Sequence, residues 1–129
     1  MGGRGASLNK GKYPYETEYK TLYQFENIKF IKYIKGHNAK SPMETQTKGR
    51  IYVTLDNKNS PKYITYFDEN NKRNKQIDLK GRPHNIGDDA VLPHVHIGYE
   101  HNEGGARKLT KKEQYFVDKV LSAWENKNR

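Results

Sequence analysis

Histidine is concentrated in one segment of this chain. Four of its five histidines, His84, His94, His96 and His101, fall within eighteen consecutive residues. Histidine changes charge near neutral pH and also ligates transition metals, so a cluster of this kind is typical of proton transfer, metal binding or phosphate contact. This segment is therefore the first candidate for a functional site.

Two of these histidines are expected to act together. The residues around Val95 alternate in hydrophobicity and predict a β-strand, and residues two apart in a strand lie on the same face. His94 and His96 therefore share a face, which we expect to be the open one if a helix packs on the other. The neighbouring strand offers cations on one face and amides with a carboxylate on the other, so the pairing register decides which set lies beside the histidines. One set is Arg73, Lys75 and Ile77, and the other is Lys72, Asn74, Gln76 and Asp78.

Three functions are compatible with these residues. In the first, RNA is cleaved without metal, as a base removes the 2′-hydroxyl proton, an acid protonates the 5′-oxygen and cations stabilise the phosphorane. In the second, His94 and His96 bind zinc or another metal with a third ligand such as His84, His101 or Asp78. In the third, the histidines make only phosphate or water contacts. The first and third are equally favoured by the residues alone, and we expect no metal.

The RNA-cleaving hypothesis assigns a role to each candidate residue. His94 and His96 are the acid and the base, and Lys75 is the catalytic cation. No cofactor is expected, because the chain has no P-loop, no GxSxG motif and no dinucleotide-binding fingerprint. The predicted substrate- and phosphate-binding residues are Arg50, Lys48, Arg82, His84, His101 and Arg73.

The chain is strongly basic and has no cysteine. Of its 129 residues, 24 are Lys or Arg and 15 are Asp or Glu, which gives a net charge of +9. Such an excess favours a polyanionic partner, with RNA preferred, that is bound through its phosphates. The lack of cysteine excludes disulfides and thiolate zinc sites, and no segment is apolar enough to predict a membrane span.

The predicted elements form one α+β domain. Residues 1–12 are rich in glycine and basic residues and predict a flexible arm, and residues 13–129 predict a single domain. We expect one long strand over Tyr19–Lys35, with a bend or a register change near Phe30, and then a polar loop over Gly36–Gly49. Further strands are expected over Arg50–Asp56, Lys62–Asp68, Lys72–Leu79 and His94–Glu100, with a loop over Lys80–Leu92.

A C-terminal helix completes the predicted fold. Thr110 and Glu113 have the spacing of a capping box, and the helix is expected to run to about Lys127. The prediction is an antiparallel meander of four to five strands with this amphipathic helix packed on one face. The helix residues expected to be buried are Phe116, Val120, Leu121 and Trp124.

Two resemblances add to this interpretation. One set of segments resembles a domain of phages and prophages of Gram-positive bacteria that is often found at the C-terminus of minor head proteins. A shorter set is similar to the end of polymorphic-toxin nuclease domains of the barnase–EndoU–colicin–RelE type. The first set is Gly2–Ser7, Glu18–Thr21, Met43–Thr54, Ile64–Asp68, Lys72–Arg73 and Trp124–Glu125; the second is Ile77–Asp78, Gly81–His84 and Pro93–His96.

The second resemblance implies a helix on a four- or five-stranded antiparallel sheet that cleaves RNA without metal. The chain departs from that plan, because those nucleases usually have a helix before the sheet and the best helix here is C-terminal. The expected function is a phage-encoded, RNase-like domain in the virion or the host cytoplasm. The alternative is a non-catalytic virion or host-interaction protein that binds nucleic acid, docks on a phage head or inhibits a host protein.

Overall fold

The structure is a computed structural model that describes residues 6–7, 18–79, 84–86, 89–91, 93–98 and 106–127. These residues form an α+β fold with a mostly antiparallel seven-stranded sheet and one C-terminal helix. This confirms the predicted class. The predicted count of four to five strands is too low, because the segment predicted as one strand over Tyr19–Lys35 forms two strands and a short strand at Ala106–Lys108 lies at the edge of the sheet.

The main sheet places strands in the order β11-β10-β7-β6-β5-β3-β2, and two small two-stranded sheets, β1-β4 and β8-β9, lie outside it. Among the described strands of the main sheet, β3 and β5 are the one pair that runs in parallel. The strands are β1 (Ala6–Ser7), β2 (Tyr19–Phe25), β3 (Ile28–Tyr33), β4 (Glu44–Thr45), β5 (Ile51–Leu55), β6 (Pro61–Phe67), β7 (Arg73–Asp78), β8 (His84–Ile86), β9 (Asp89–Val91), β10 (His94–Ile97) and β11 (Ala106–Lys108), and the helix is α1 (Lys111–Asn126).

Two turns of the same design connect β5, β6 and β7. In each turn an aspartate carboxylate accepts hydrogen bonds from two backbone N–H groups of the turn, and an asparagine adopts a positive φ. The aspartates are Asp56 and Asp68, and the asparagines are Asn59 and Asn71. Asparagine tolerates this backbone conformation better than most residues, which explains how polar sequence makes these tight connections.

The two faces of the sheet are covered by different parts of the chain. We call the face under α1 the helix face; its buried row runs Val95, Ile77, Ile64, Val53 and Phe30 across the strands. We call the other side the histidine face; its corresponding row runs His96, Gln76, Thr65, Tyr52 and Lys29.

The helix packs as its sequence predicts. Thr110 and Glu113 form the expected capping box, in which each side chain accepts a hydrogen bond from the other's backbone N–H. Val120 is fully buried and Trp124 stacks on Phe30, with ring centroids 5.0 Å apart. Phe116 and Leu121 are half-buried against the same core.

The prediction of a single strand over Tyr19–Lys35 is wrong. The chain reverses at Glu26–Asn27, so β2 and β3 form an antiparallel hairpin. Glu26 adopts a φ of 55°, which is uncommon for this residue type. Distant contacts accompany the turn: Lys119 Nζ donates to Glu26 Oε1 at 3.0 Å, and Asn27 Nδ2 donates to the carbonyl of Gly49 at 2.9 Å.

Several segments expected to be irregular contain strands. The predicted loop over Gly36–Gly49 contains β4, and the predicted loop over Lys80–Leu92 contains β8 and β9. Within the expected flexible arm, Ala6 is fully buried and β1 pairs with β4; the rest of residues 1–12 lies outside the described residues. The described residues contain no helix with the length and hydrophobicity that crossing a bilayer requires.

Candidate functional site

The pairing of β7 with β10 brings the histidines to a carboxylate. His94 lies opposite Asp78, and His96 lies opposite Gln76. Because alternate residues of a strand share a face, all four side chains lie on the histidine face. Of the two sets of neighbours left open by the sequence, the structure therefore selects the amide and the carboxylate.

Asp78, His94 and His96 form a compact cluster. The Nε2 atoms of the two imidazoles are 2.9 Å apart, and Oδ2 of Asp78 lies 3.5 Å from Nε2 of His94 and 3.3 Å from Nε2 of His96. The exposed fractions of His94, His96 and Asp78 are 0%, 4% and 8%. Among the described residues, this is the one group of three side chains that can offer three metal-ligand atoms together, all within 4.8 Å of one another.

A chain of side chains holds the carboxylate of Asp78. Gln76 Nε2 donates to Asp78 Oδ1 at 2.8 Å, and Arg73 donates from one guanidinium nitrogen to Gln76 Oε1 at 3.0 Å and to Ser41 Oγ at 2.9 Å. Arginine has only donors, so its contact with Gln76 defines which end of the amide faces Asp78. The carboxylate is thereby oriented with Oδ2 towards both imidazoles.

A register shift explains why Arg73 reaches this face. Phe67 pairs with Arg73, but the preceding residue, Tyr66, pairs with Lys75, which leaves Asn74 as an extra residue in β7. Such a bulge changes the face on which the following residues lie. Arg73 therefore shares the histidine face with Gln76, although the two are three residues apart.

The expectation that the histidine face is open is wrong. Residues that join β3 to β5 cross this face and cover it. Met43 accepts a hydrogen bond from the backbone of Arg73 through its carbonyl, and the hydroxyls of Thr45 and Tyr52 are 2.9 Å apart in a buried contact. Tyr19 donates its hydroxyl proton to the carbonyl of Lys40. The covering arises from contacts distant in sequence, which strand periodicity does not reveal.

Lys75 lies on the helix face and does not join the histidines. Its Nζ donates to Glu113 Oε2 at 2.9 Å and sits 4.3 Å from the ring centre of Tyr66. Hydrogen bonds from Arg107, the backbone of Thr110 and Lys75 hold the pKa of Glu113 well below its usual range, with Arg107 the largest cause. Burial, with the nearby Glu113 charge, raises the pKa of Tyr66 to about 12.

The remaining predicted residues are dispersed or lie outside the described part of the chain. Lys48 lies in the turn before β5 and Arg50 immediately precedes it; β6 and β7 separate β5 from β10, a distance of about 14 Å at the usual strand spacing. His84 begins β8. Arg82 and His101 lie outside the described residues.

Sequence reasoning named Asp78 and Arg73 but missed the connection between them. The sequence predicts Gln76 as a neighbour of the histidines in one of the two possible registers, whereas no sequence pattern predicts the contact of Arg73 with Ser41. The signal available was the two-residue spacing shared by Gln76 and Asp78 with His94 and His96, which matches across two antiparallel strands when the register allows it.

The chain matches no protein-family model, no curated protein and no solved structure. Its function must therefore be inferred from the cluster of Asp78, His94 and His96 and from the charge around it.

Proposed function

We propose that this protein binds RNA through its phosphates and cleaves it at the cluster of Asp78, His94 and His96. The observation that carries the proposal is the meeting of two imidazoles and one carboxylate at distances of 2.9 to 3.5 Å. General acid–base groups and metal ligands are drawn from the same side chains. The phage origin and the likeness to toxin nucleases remain part of the same proposal.

The proposed reaction is an internal transesterification. A base accepts the proton of the ribose 2′-hydroxyl, whose oxygen attacks the adjacent phosphorus. The bond from phosphorus to the 5′-oxygen breaks, and that oxygen receives a proton. The products are a 2′,3′-cyclic phosphate and a 5′-hydroxyl, so the reaction needs no external oxidant, reductant or nucleotide.

The charge of the chain supports RNA as the substrate class. The net charge is +9, and exposed lysines occur on several elements and loops. Such a distribution favours contact with phosphates over reading of bases, so we expect weak sequence preference. The exposed lysines of the described residues include Lys20, Lys35, Lys40, Lys48, Lys58, Lys72, Lys108, Lys111, Lys112 and Lys119.

Access limits how a phosphate reaches the cluster. His94 is fully buried, whereas the side chain of Asp78 is 11% exposed. We therefore propose that substrate approaches from the side of Asp78. The same burial favours a second candidate function, in which the cluster only stabilises the sheet and the protein binds nucleic acid or a protein partner without cleaving it.

The two functions separate in one assay. Labelled RNA is incubated with the wild-type protein and with a His94→Ala/His96→Ala double variant, and the products are analysed for a 2′,3′-cyclic phosphate. The proposed function predicts cleavage that falls by about 10²–10⁴-fold in the double variant. Circular dichroism shows whether each protein is folded, and His96→Asn replaces the double variant if that variant unfolds. Binding without cleavage by the wild type supports the second candidate.

A further inference from the structure

The spacing of the two imidazoles does not suit a metal-free acid–base pair. In-line displacement at phosphorus places the entering and leaving oxygens on opposite sides, and each oxygen needs a hydrogen bond of about 2.7–3 Å to its own catalytic group. The Nε2 atoms of His94 and His96 are only 2.9 Å apart. Two nitrogens this close are within hydrogen-bond distance of each other and do not stand on opposite sides of a phosphate.

The same spacing suits a metal ion. Nε2 of His94, Nε2 of His96 and Oδ2 of Asp78 form a triangle with sides of 2.9, 3.3 and 3.5 Å. The circle through its corners has a radius of about 1.9 Å, and zinc bonds to imidazole nitrogen and carboxylate oxygen are about 2.0–2.2 Å long. An ion at bonding distance from all three atoms therefore lies just outside the plane of the triangle.

The surroundings of Asp78 match those of a metal-ligating carboxylate. Gln76 occupies Oδ1 with a hydrogen bond of 2.8 Å, which leaves Oδ2 directed at the histidines. Outer hydrogen bonds of this kind orient metal ligands in known sites. A buried carboxylate is also costly unless a cation compensates it, and a divalent ion supplies that compensation.

We propose that Asp78, His94 and His96 bind one divalent transition-metal ion, with zinc preferred. Two imidazoles and one carboxylate suit zinc and its neighbours, whereas magnesium and calcium prefer oxygen ligands. Three protein ligands leave a coordination position for water or a phosphate oxygen, as in catalytic zinc sites. The inference deepens the proposed function by naming the species that polarises the phosphate, and it replaces the metal-free chemistry expected from the residues alone.

Cobalt(II) is the probe, because it takes zinc sites and has visible absorption bands that report its ligands. The full chain, without a histidine tag, is stripped with a chelator, freed of it and titrated with cobalt. We expect one cobalt ion per chain, visible bands of a low-coordinate site and displacement by zinc. Asp78→Asn and His96→Gln should each weaken binding by more than about 100-fold, since loss of a ligand exceeds the 10–100-fold cost of losing an outer hydrogen bond.

His37 provides the matched control, because it is exposed and lies outside the cluster. His37→Ala should bind cobalt as the wild type does. Absence of cobalt bands in folded wild-type protein, or binding that survives both cluster substitutions, overturns the metal site. Trp124 fluorescence and circular dichroism establish that each protein is folded.

The cobalt-binding experiment tests the metal site separately from RNA cleavage. Cobalt binding without cleavage of RNA by the zinc-loaded protein supports the metal site and overturns the proposed function. Cleavage of RNA by the stripped protein in excess chelator, together with no cobalt binding, supports the proposed function and overturns the metal site.

Discussion

Asp78 uses its two carboxylate oxygens for different purposes. Oδ1 accepts the hydrogen bond from Gln76, while Oδ2 lies within 3.5 Å of both imidazole Nε2 atoms. A carboxylate held in this way is limited in its rotation, so its second oxygen stays directed at one point. At the residue scale, one amide therefore fixes the orientation of the Asp78 carboxylate within the cluster.

We predict that Gln76→Ala weakens cobalt binding about 10–100-fold without removing a ligand. The substitution frees Oδ1 of Asp78, so the carboxylate can rotate or bind through both oxygens. Cobalt titration measures the affinity, and the visible bands should shift because the coordination of Asp78 changes. A purely structural role for Gln76 would lower the melting temperature and leave the bands of the bound ion unchanged.

Gln114→Ala is the control for this substitution, because Gln114 is exposed and bonds only within the helix surface, to Asp118 at 3.1 Å in the described contacts. It should change neither affinity nor spectrum. Equal cobalt affinity in Gln76→Ala and wild-type protein would contradict the positioning role.

At the scale of elements, the pairing of β10 with β7 determines what lies beside the histidines. This register places Lys75 and Ile77 on the helix face, and it places Gln76 and Asp78 on the histidine face opposite His96 and His94. Arg73 lies before the bulge at Asn74 and so shares the face of Gln76 and Asp78. The bulge thus brings the guanidinium of Arg73 to the polar cluster.

The first turn of α1 joins the helix to two strands through Glu113. Its carboxylate accepts hydrogen bonds from Arg107 of β11 at 2.7 and 2.9 Å and from Lys75 of β7 at 2.9 Å. It also accepts a hydrogen bond from the backbone N–H of Thr110. These charged hydrogen bonds lower the pKa of Glu113. Its contribution to stability is therefore fully present above the pKa of the unfolded chain and is lost as pH falls below that value.

We predict that Glu113→Gln destabilises the fold by about 1–3 kcal/mol at neutral pH, the usual cost of losing hydrogen bonds to a charged group. Because the folded pKa is depressed, the difference between wild type and variant should shrink as pH falls below about 4.3, the ordinary glutamate value. Urea unfolding, followed by Trp124 fluorescence at several pH values, measures the free energy of unfolding of both proteins.

Asp118→Asn is the control, because Asp118 is exposed on the same helix; it should change stability by less than about 0.5 kcal/mol. A difference between Glu113→Gln and wild type that stays constant down to pH values near 2 would contradict the assigned role of the charge.

The sequence pattern predicts the elements that are determined by residues close together in the chain. The capping box of α1, the three central strands and the common face of His94 and His96 follow from spacing alone. The partner of the histidines depends on the register between β7 and β10, and the β2–β3 turn occurs at Glu26, whose sequence carries no strong turn signal. Both depend on contacts between distant segments, so the site was predicted only in part.

At the scale of the whole molecule, the fold buries the histidine cluster and leaves charge outside. The chain carries a net charge of +9, and its exposed lysines are spread over strands, loops and α1. The amino-terminal segment contributes to the fold, since Ala6 is fully buried and β1 pairs with β4. Deletion of residues 1–12 would remove this strand.

The position of a bound ion tests the central claim most directly. Crystals of the zinc-loaded full chain, measured on both sides of the zinc absorption edge, locate zinc by its anomalous scattering. We predict one strong peak about 2.0–2.2 Å from Nε2 of His94, Nε2 of His96 and Oδ2 of Asp78. The absence of a peak at this cluster, or zinc bound only elsewhere, would contradict the account.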